Sequence, residues 1–184
     1  YVTSVKNQGG CGSCVSFALI ATLESEYLED NVVVDLSEQD LFFCKGNCDC
    51  NWGWYLLQAS QTVVSASDLD TETCCPYQGY DTGSCCNCNT YYSVKNYNYL
   101  NTIVSIKNWL LNSGTVMTQF NVYTDFYSYN GGIYEKNSNN YEGGHAVQVI
   151  GFDDTHQYWI AKNSWGSGWG ENGFFRIKYG EAGF

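Results

Sequence analysis

Ten cysteines crowd into the first 88 residues of a 184-residue chain, at positions 11, 14, 44, 48, 50, 74, 75, 85, 86 and 88, and none follows. That density points to an oxidising compartment and to several cross-links, so the first half is expected to be short elements stapled by disulfides. The charge is as uneven as the cysteines. Residues 1–92 carry two basic and twelve acidic groups, residues 93–184 six and seven, and the net charge is −11. Such a surface repels phosphate backbones, so no nucleic-acid partner is expected. The acidic half reads first as a solvated face and second as a surface for a cationic partner. No apolar run reaches 18 residues, which excludes a membrane-spanning helix, and 17% aromatic residues argue against disorder. The absence of an initial Met or a leader-like segment reads as a processed product or part of a longer chain.

Residues 14–29 (CVSFALIATLESEYLE) are apolar nearly all round at first and then acidic, as in a buried helix whose far end emerges into water. Ser37 is placed to cap a helix over EQDLFFC, and residues 54–66 read as a third helix. A cysteine-rich loop from Cys74 to Cys88 follows, then an Asn- and Tyr-rich irregular stretch over 87–101. Thr102 is expected to cap a helix over 103–112 that Gly114 ends. Strands are expected at 115–122, 145–152, 157–163 and 173–179. The plan is a helical part followed by a β part, with a cleft between them as the natural ligand site.

Cys14 sits where the first helix begins. Free N–H groups and partial positive charge at a helix N-terminus favour thiolate over thiol. A thiol nucleophile needs a base, and the chain has two histidines. His145 lies among small neighbours in GGHAV at a strand start, whereas His156 lies in a polar turn and is expected to be exposed. The imidazole needs an orienting acceptor. Asn163, at hairpin distance on the next strand, supplies an amide oxygen, and Trp165 can shield that bond from water. Taken singly, Cys14 reads as one more disulfide cysteine and His145 as a structural histidine; the combination is what points to chemistry.

The stretch Gln8 to Phe17 (QGGCGSCVSF) resembles the nucleophile signature of papain-like cysteine proteases. The resemblance continues at LSEQDL (36–41), DCNWG (49–53), Pro76-Tyr77, GGIY (131–134), GHAV (144–147) and NSWGSGWG (163–170), in the family's order and over nearly the whole chain. It implies an α+β fold of two lobes within a single domain over residues 1–184, a helical lobe (about 1–92) and an antiparallel, barrel-like β lobe (about 93–184) with the active-site cleft between. It implies a cysteine-type endopeptidase acting through a thioester, with Cys14 as nucleophile, His145 as acid and base, Asn163 orienting the ring, and the Gln8 amide with the Cys14 N–H as oxyanion hole. Gly53 would pair with an extended substrate backbone. Trp52, Thr118, Gly143, Gly144, Ala146 and Trp165 would flank the substrate.

The resemblance also implies disulfides Cys11–Cys50 and Cys44 with Cys85 or Cys86. With Cys14 set aside, nine cysteines remain, so at least one has no partner within the chain. No metal and no cofactor are implied. The expected partners are a protein or peptide substrate and an inhibitory propeptide, with a larger assembly or parent chain left open, and the expected location is extracellular or lysosomal/vacuolar. The chain departs from the family at Val15 (usually Trp), Trp52 (often Gly) and Gly144 (often Asn or Asp), and the resemblance leads one to expect that the family's usual N- and C-terminal extremes are missing. The alternative reading is a papain-fold domain serving as a binding or structural module of a larger extracellular assembly.

Overall fold

A computed structural model describes residues 1–66, 68–89 and 91–184. The first helix, α1 (Cys14–Glu29), buries Val15, Phe17, Ala18, Leu19, Ile20 and Ala21 and leaves Glu29 exposed, as its sequence anticipates. The Ser37 hydroxyl does cap the next turn, accepting from the Asp40 N–H at 2.9 Å. That turn is wider than an ordinary helix, however, and runs as a π-helix over Asp40–Lys45. In a π turn residues five apart face each other, which sets the Lys45 ammonium 3.7 Å from the Asp40 carboxylate. Helix α2 (Leu56–Ala66) turns Ala59, Ser60 and Val63 inward. Helix α3 (Ile103–Asn112) starts at Thr102, whose hydroxyl accepts from the Ser105 N–H while Ser105 answers at the Thr102 N–H, a reciprocal capping box.

Among the described residues five strands follow: β1 (Val116–Tyr123), β2 (Ile133–Tyr134), β3 (Tyr141–Asp153), β4 (Tyr158–Lys162) and β5 (Phe174–Lys178). They form one sheet in the order β1-β3-β4-β5-β2. The pairings are antiparallel except between β2 and β5, so the sheet is mixed, with a short parallel pair at one edge. Strand β3 begins four residues earlier than expected. Gly143 and Gly144 have poor strand propensity, but β1 pairs with them (Val122↔Gly143, Asn121↔Gly144) and carries the strand through. His145 is therefore in mid-strand. Gly143 sits at φ +138°, a backbone that disfavours a side chain, where the register with β1 shifts.

Two apolar cores meet along β3. Val15, Leu19, Ile20, Leu36, Leu41, Ala59, Val63 and Leu69 make the first, to which β3 contributes Ala146. Phe120, Phe126, Val147, Val149, Trp159, Phe175 and Ile177 make the second. The alternation of β3 explains the split, because successive residues face opposite sides. Buried Gln148 shares the Ala146 side and fastens it: its Nε2 donates to Ala21 O (2.9 Å), Ser25 Oγ (2.8 Å) and Thr115 Oγ1 (2.9 Å). Strand β3 is thus locked against α1, and the two segments bearing Cys14 and His145 are held in register.

Four disulfides staple the first half: Cys11–Cys50, Cys44–Cys85, Cys74–Cys88 and Cys75–Cys86. The first two are the expected pairs, with Cys85 rather than Cys86 joined to Cys44. Cys14 and Cys48 remain free thiols. No helix among the described residues is long and apolar enough to cross a membrane.

Candidate active site

The loop before α1 is shaped by the Cys11–Cys50 cross-link and by Gly12, whose N–H donates to Cys50 O at 2.9 Å. A Cβ on Gly12 would come within 2.5 Å of that same oxygen, so only glycine lets the two loop segments approach. Ser13 then starts the helix, with its carbonyl accepting from the N–H groups of Ser16 and Phe17. Its hydroxyl is fully buried against Tyr77 Oη at 2.7 Å. The Tyr77 hydroxyl also reaches the Gln8 carbonyl at 2.9 Å, which can only accept. Tyr77 therefore donates to Gln8, and the Ser13 hydroxyl donates to Tyr77.

His145, 5% exposed, meets Asn163, 2% exposed, with Nε2 and Oδ1 2.7 Å apart. The same Oδ1 accepts from the Ser164 backbone N–H at 2.8 Å. A backbone N–H only donates, so the Asn163 atom it touches is the oxygen, and the His145 nitrogen on that oxygen carries a proton. The lone pair of the neutral ring is thereby left on Nδ1. Trp165 lies over the imidazole, centroids 4.8 Å apart, and is itself stacked on Tyr127 and edged by Phe126 and Trp169. Burial holds the His145 ring well below its ordinary value, at about 4, against a smaller opposing effect from the Asn163 bond.

Burial likewise pushes the Cys14 thiol up, while the backbone N–H groups of Ala146, Val15 and Cys14 itself pull it down. The Ala146 N–H belongs to the residue after His145, so the sulfur lies against β3 at the histidine. Gln8 completes the cluster. Its Nε2 donates to Cys11 O (2.9 Å), its Oε1 accepts from Ser164 Oγ (2.6 Å), and its backbone N–H donates to Ser164 O (2.9 Å). A hydrogen-bonded path thus runs from Gln8 through Ser164 to Asn163 and His145. One of the two N–H groups on Gln8 Nε2 remains beyond its bond to Cys11. Ser164, Tyr77 and Ser13 carried no role in the sequence reading, although Pro76-Tyr77 and NSWG lie within the motifs quoted above.

The other expected site residues are more scattered. Thr118 on β1 pairs with Val147, and Gln119 with Ala146. A Cβ on Gly143 or Gly144 would meet nothing within 4 Å, so that wall is open. Ala146 is buried in the first core. Trp52 stands 90% exposed on a turn where the Asp49 carboxylate accepts from the Asn51 N–H. In the same turn the Gly53 N–H is already donated to Asp49 O at 3.1 Å, so only its carbonyl is left for an incoming strand. His156 is 64% exposed beside Asp153 and takes no part in the cluster.

The model of a family described as papain family cysteine protease matches residues 1–183. A cathepsin B-like protein, CP3, of Giardia intestinalis is 35% identical over 194 residues, covering 96% of this chain and 64% of its own length. Fruit bromelain of Ananas comosus is 34% identical over 188 residues, with 97% and 52% covered. Among solved structures, the Carica candamarcensis cysteine protease CMS1MS2 in complex with E-64 superposes with a TM-score of 0.82 at 28% identity, over 98% of this chain and 88% of that one. Bromelain protease from Ananas comosus in complex with the E64 inhibitor gives 0.76 at 29%, over 96% and 84%. The chain spans less than two thirds of the length of these curated relatives.

Proposed function

This chain belongs to the papain family of cysteine proteases and has its α+β two-lobe fold, and on that premise we propose that it hydrolyses peptide bonds with Cys14 as the nucleophile. The observation that carries the reading is the fixed tautomer of His145. Asn163 Oδ1, itself pinned by the Ser164 N–H, takes the Nε2 proton and leaves Nδ1 as a base on the strand against which the only free thiol of the cluster lies.

Burial opposes each charge alone, but transfer of the Sγ proton to Nδ1 creates both charges together. Two unit charges in contact attract by about 4 kcal/mol at an effective dielectric near 20, and the N-terminus of α1 and the Ala146 N–H add to the sulfur's side. The thiolate attacks the substrate carbonyl. The oxyanion that forms is met by the Cys14 backbone N–H and the remaining N–H of Gln8 Nε2. Collapse passes the imidazolium proton from Nδ1 to the leaving amine and leaves a thioester. Nδ1 then takes a proton from water, whose oxygen attacks the thioester and restores the thiolate. Trp165 keeps water from the His145–Asn163 bond throughout.

The substrate is an extended protein or peptide chain. It lies along the Gly53 carbonyl, with Trp52, Thr118, Gly143, Gly144 and Ala146 as candidate walls. Four disulfides fit an oxidising compartment, extracellular or lysosomal/vacuolar. The test is intact-mass analysis after exposure to an E-64-type epoxide, with peptide mapping, alongside thiol-dependent cleavage of a peptide bearing an apolar residue before the scissile one. A single adduct on Cys14, and turnover lost in Cys14→Ser, is the expected result. A folded protein with neither adduct nor turnover overturns the reading and leaves a binding module.

A further inference from the structure

A groove of about 900 Å³ lies between β1 and the segment 93–100. Four successive residues of β1, Val116 to Gln119, line it. Neighbouring residues of a strand point to opposite faces, so four in a row means that the groove meets the edge of the strand. β1 is the outermost strand, and among the described residues its single strand partner is β3. All of residues 93–100 line the facing wall, in an irregular run that makes no backbone–backbone hydrogen bond among the described residues. Apart from the Ser93 carbonyl, which accepts from Tyr27 Oη at 2.9 Å, two stretches of unpaired backbone therefore face one slot. Its floor is apolar, with Leu19 and Leu23 of α1 and Leu56 and Val63 of α2.

The rim carries Glu26, Glu29 and Asp30 against one cation, Lys95. The Glu26 carboxylate has no hydrogen-bond or ion-pair partner among the described residues, and it is pushed up to about 7 by burial and by Glu29 and Asp30. We propose that this slot takes up an extended segment of a partner polypeptide, added as a further strand on β1, in which apolar side chains alternate with Lys or Arg. The strand period accounts for the alternation: one set of side chains meets the apolar floor while the other reaches the carboxylate rim. Charge excludes the opposite pattern, because the first half of the chain carries twelve acidic groups against two basic ones. The proposal does not depend on the chemistry of Cys14.

The experiment uses Cys14→Ser, so that nothing is cut, and a fluorescein-labelled nonapeptide alternating Val and Lys, followed by polarisation and by hydrogen exchange. Saturable binding is expected, with amide protection gained at 93–100 and at 116–117, which the catalytic cleft does not share. N-methylation along one edge of the peptide should weaken binding about tenfold or more through lost backbone bonds. Glu26→Gln should weaken it by up to about fivefold, and a Val/Glu peptide should not bind. Equal binding of the Val/Glu peptide, no binding at all, or protection confined to residues 8–14, 52–53, 118 and 143–146 overturns the proposal, the last by placing the peptide in the catalytic cleft instead.

Discussion

Ser164→Ala tests how the candidate oxyanion donor is positioned. Gln8 is 7% exposed, and its Oε1 accepts a 2.6 Å bond from Ser164 Oγ while Nε2 is tied to Cys11 O. Removing the hydroxyl leaves a buried carbonyl oxygen without its partner, at a cost of about 1–3 kcal/mol. The chain can pay that cost as lost stability, or relieve it by turning the amide so that Nε2 leaves the oxyanion position. A bond worth about 1.4 kcal/mol in the transition state is a factor of ten in rate, and loss of a whole donor reaches roughly 10²–10³. We therefore expect kcat to fall about tenfold or more with KM nearly unchanged, since the donor acts only once charge develops on the oxygen. Steady-state kinetics on a thiol-activated peptide assay, paired with thermal unfolding, read both effects. Ser164→Thr keeps the hydroxyl and should restore most of the rate. Wild-type kcat together with wild-type melting in Ser164→Ala refutes the positioning argument.

Further expectations follow from the same contacts. Asn163→Ala strips His145 Nε2 of its acceptor, and a hydrogen bond to a charged partner worth about 1.5–3 kcal/mol predicts a 10- to 100-fold loss in kcat/KM; an unchanged value removes Asn163 from the site. Lys6 holds Glu24 and Glu38, whose side chains are each 1% exposed. Lys6→Met leaves two buried carboxylates unpaired and should cost about 3–5 kcal/mol, a drop in Tm of roughly 6–20 °C by calorimetry. Glu26, pushed up to about 7, binds its proton more tightly folded than unfolded, so it costs stability as pH rises through about 4.5 to 7. Glu26→Gln should therefore melt higher than wild type at pH 8 and the same at pH 4; the reverse order would mean that Glu26 has a cationic partner.

Much of this fold was legible because local signals and packing agree. The apolar run of α1, the Thr102 cap and the strand patterns each state a local preference that the core rewards. The rest depends on distant partners. The widened turn at Asp40–Lys45 is tied at its first residue to a distant partner, the Asp40 carboxylate accepting from the Asp70 N–H thirty residues away. The two-residue β2 exists only through its parallel pairing with β5. The start of β3 was hidden by Gly143-Gly144, which strand propensity rejects and β1 overrides. In the candidate site, the residue types and their order stood in the sequence. The contact between Gln8 and Ser164 spans 156 positions and left no local trace.

The most direct test is the ring of His145, followed by nitrogen-15 NMR at pH 6 in the wild type and in Cys14→Ser. The account predicts an imidazolium, protonated on both nitrogens, when the thiol is present. It predicts a neutral ring protonated on Nε2, titrating near 4, when the thiol is gone. A neutral ring in both proteins would contradict it, because the sulfur would then keep its own proton and no activated nucleophile would exist.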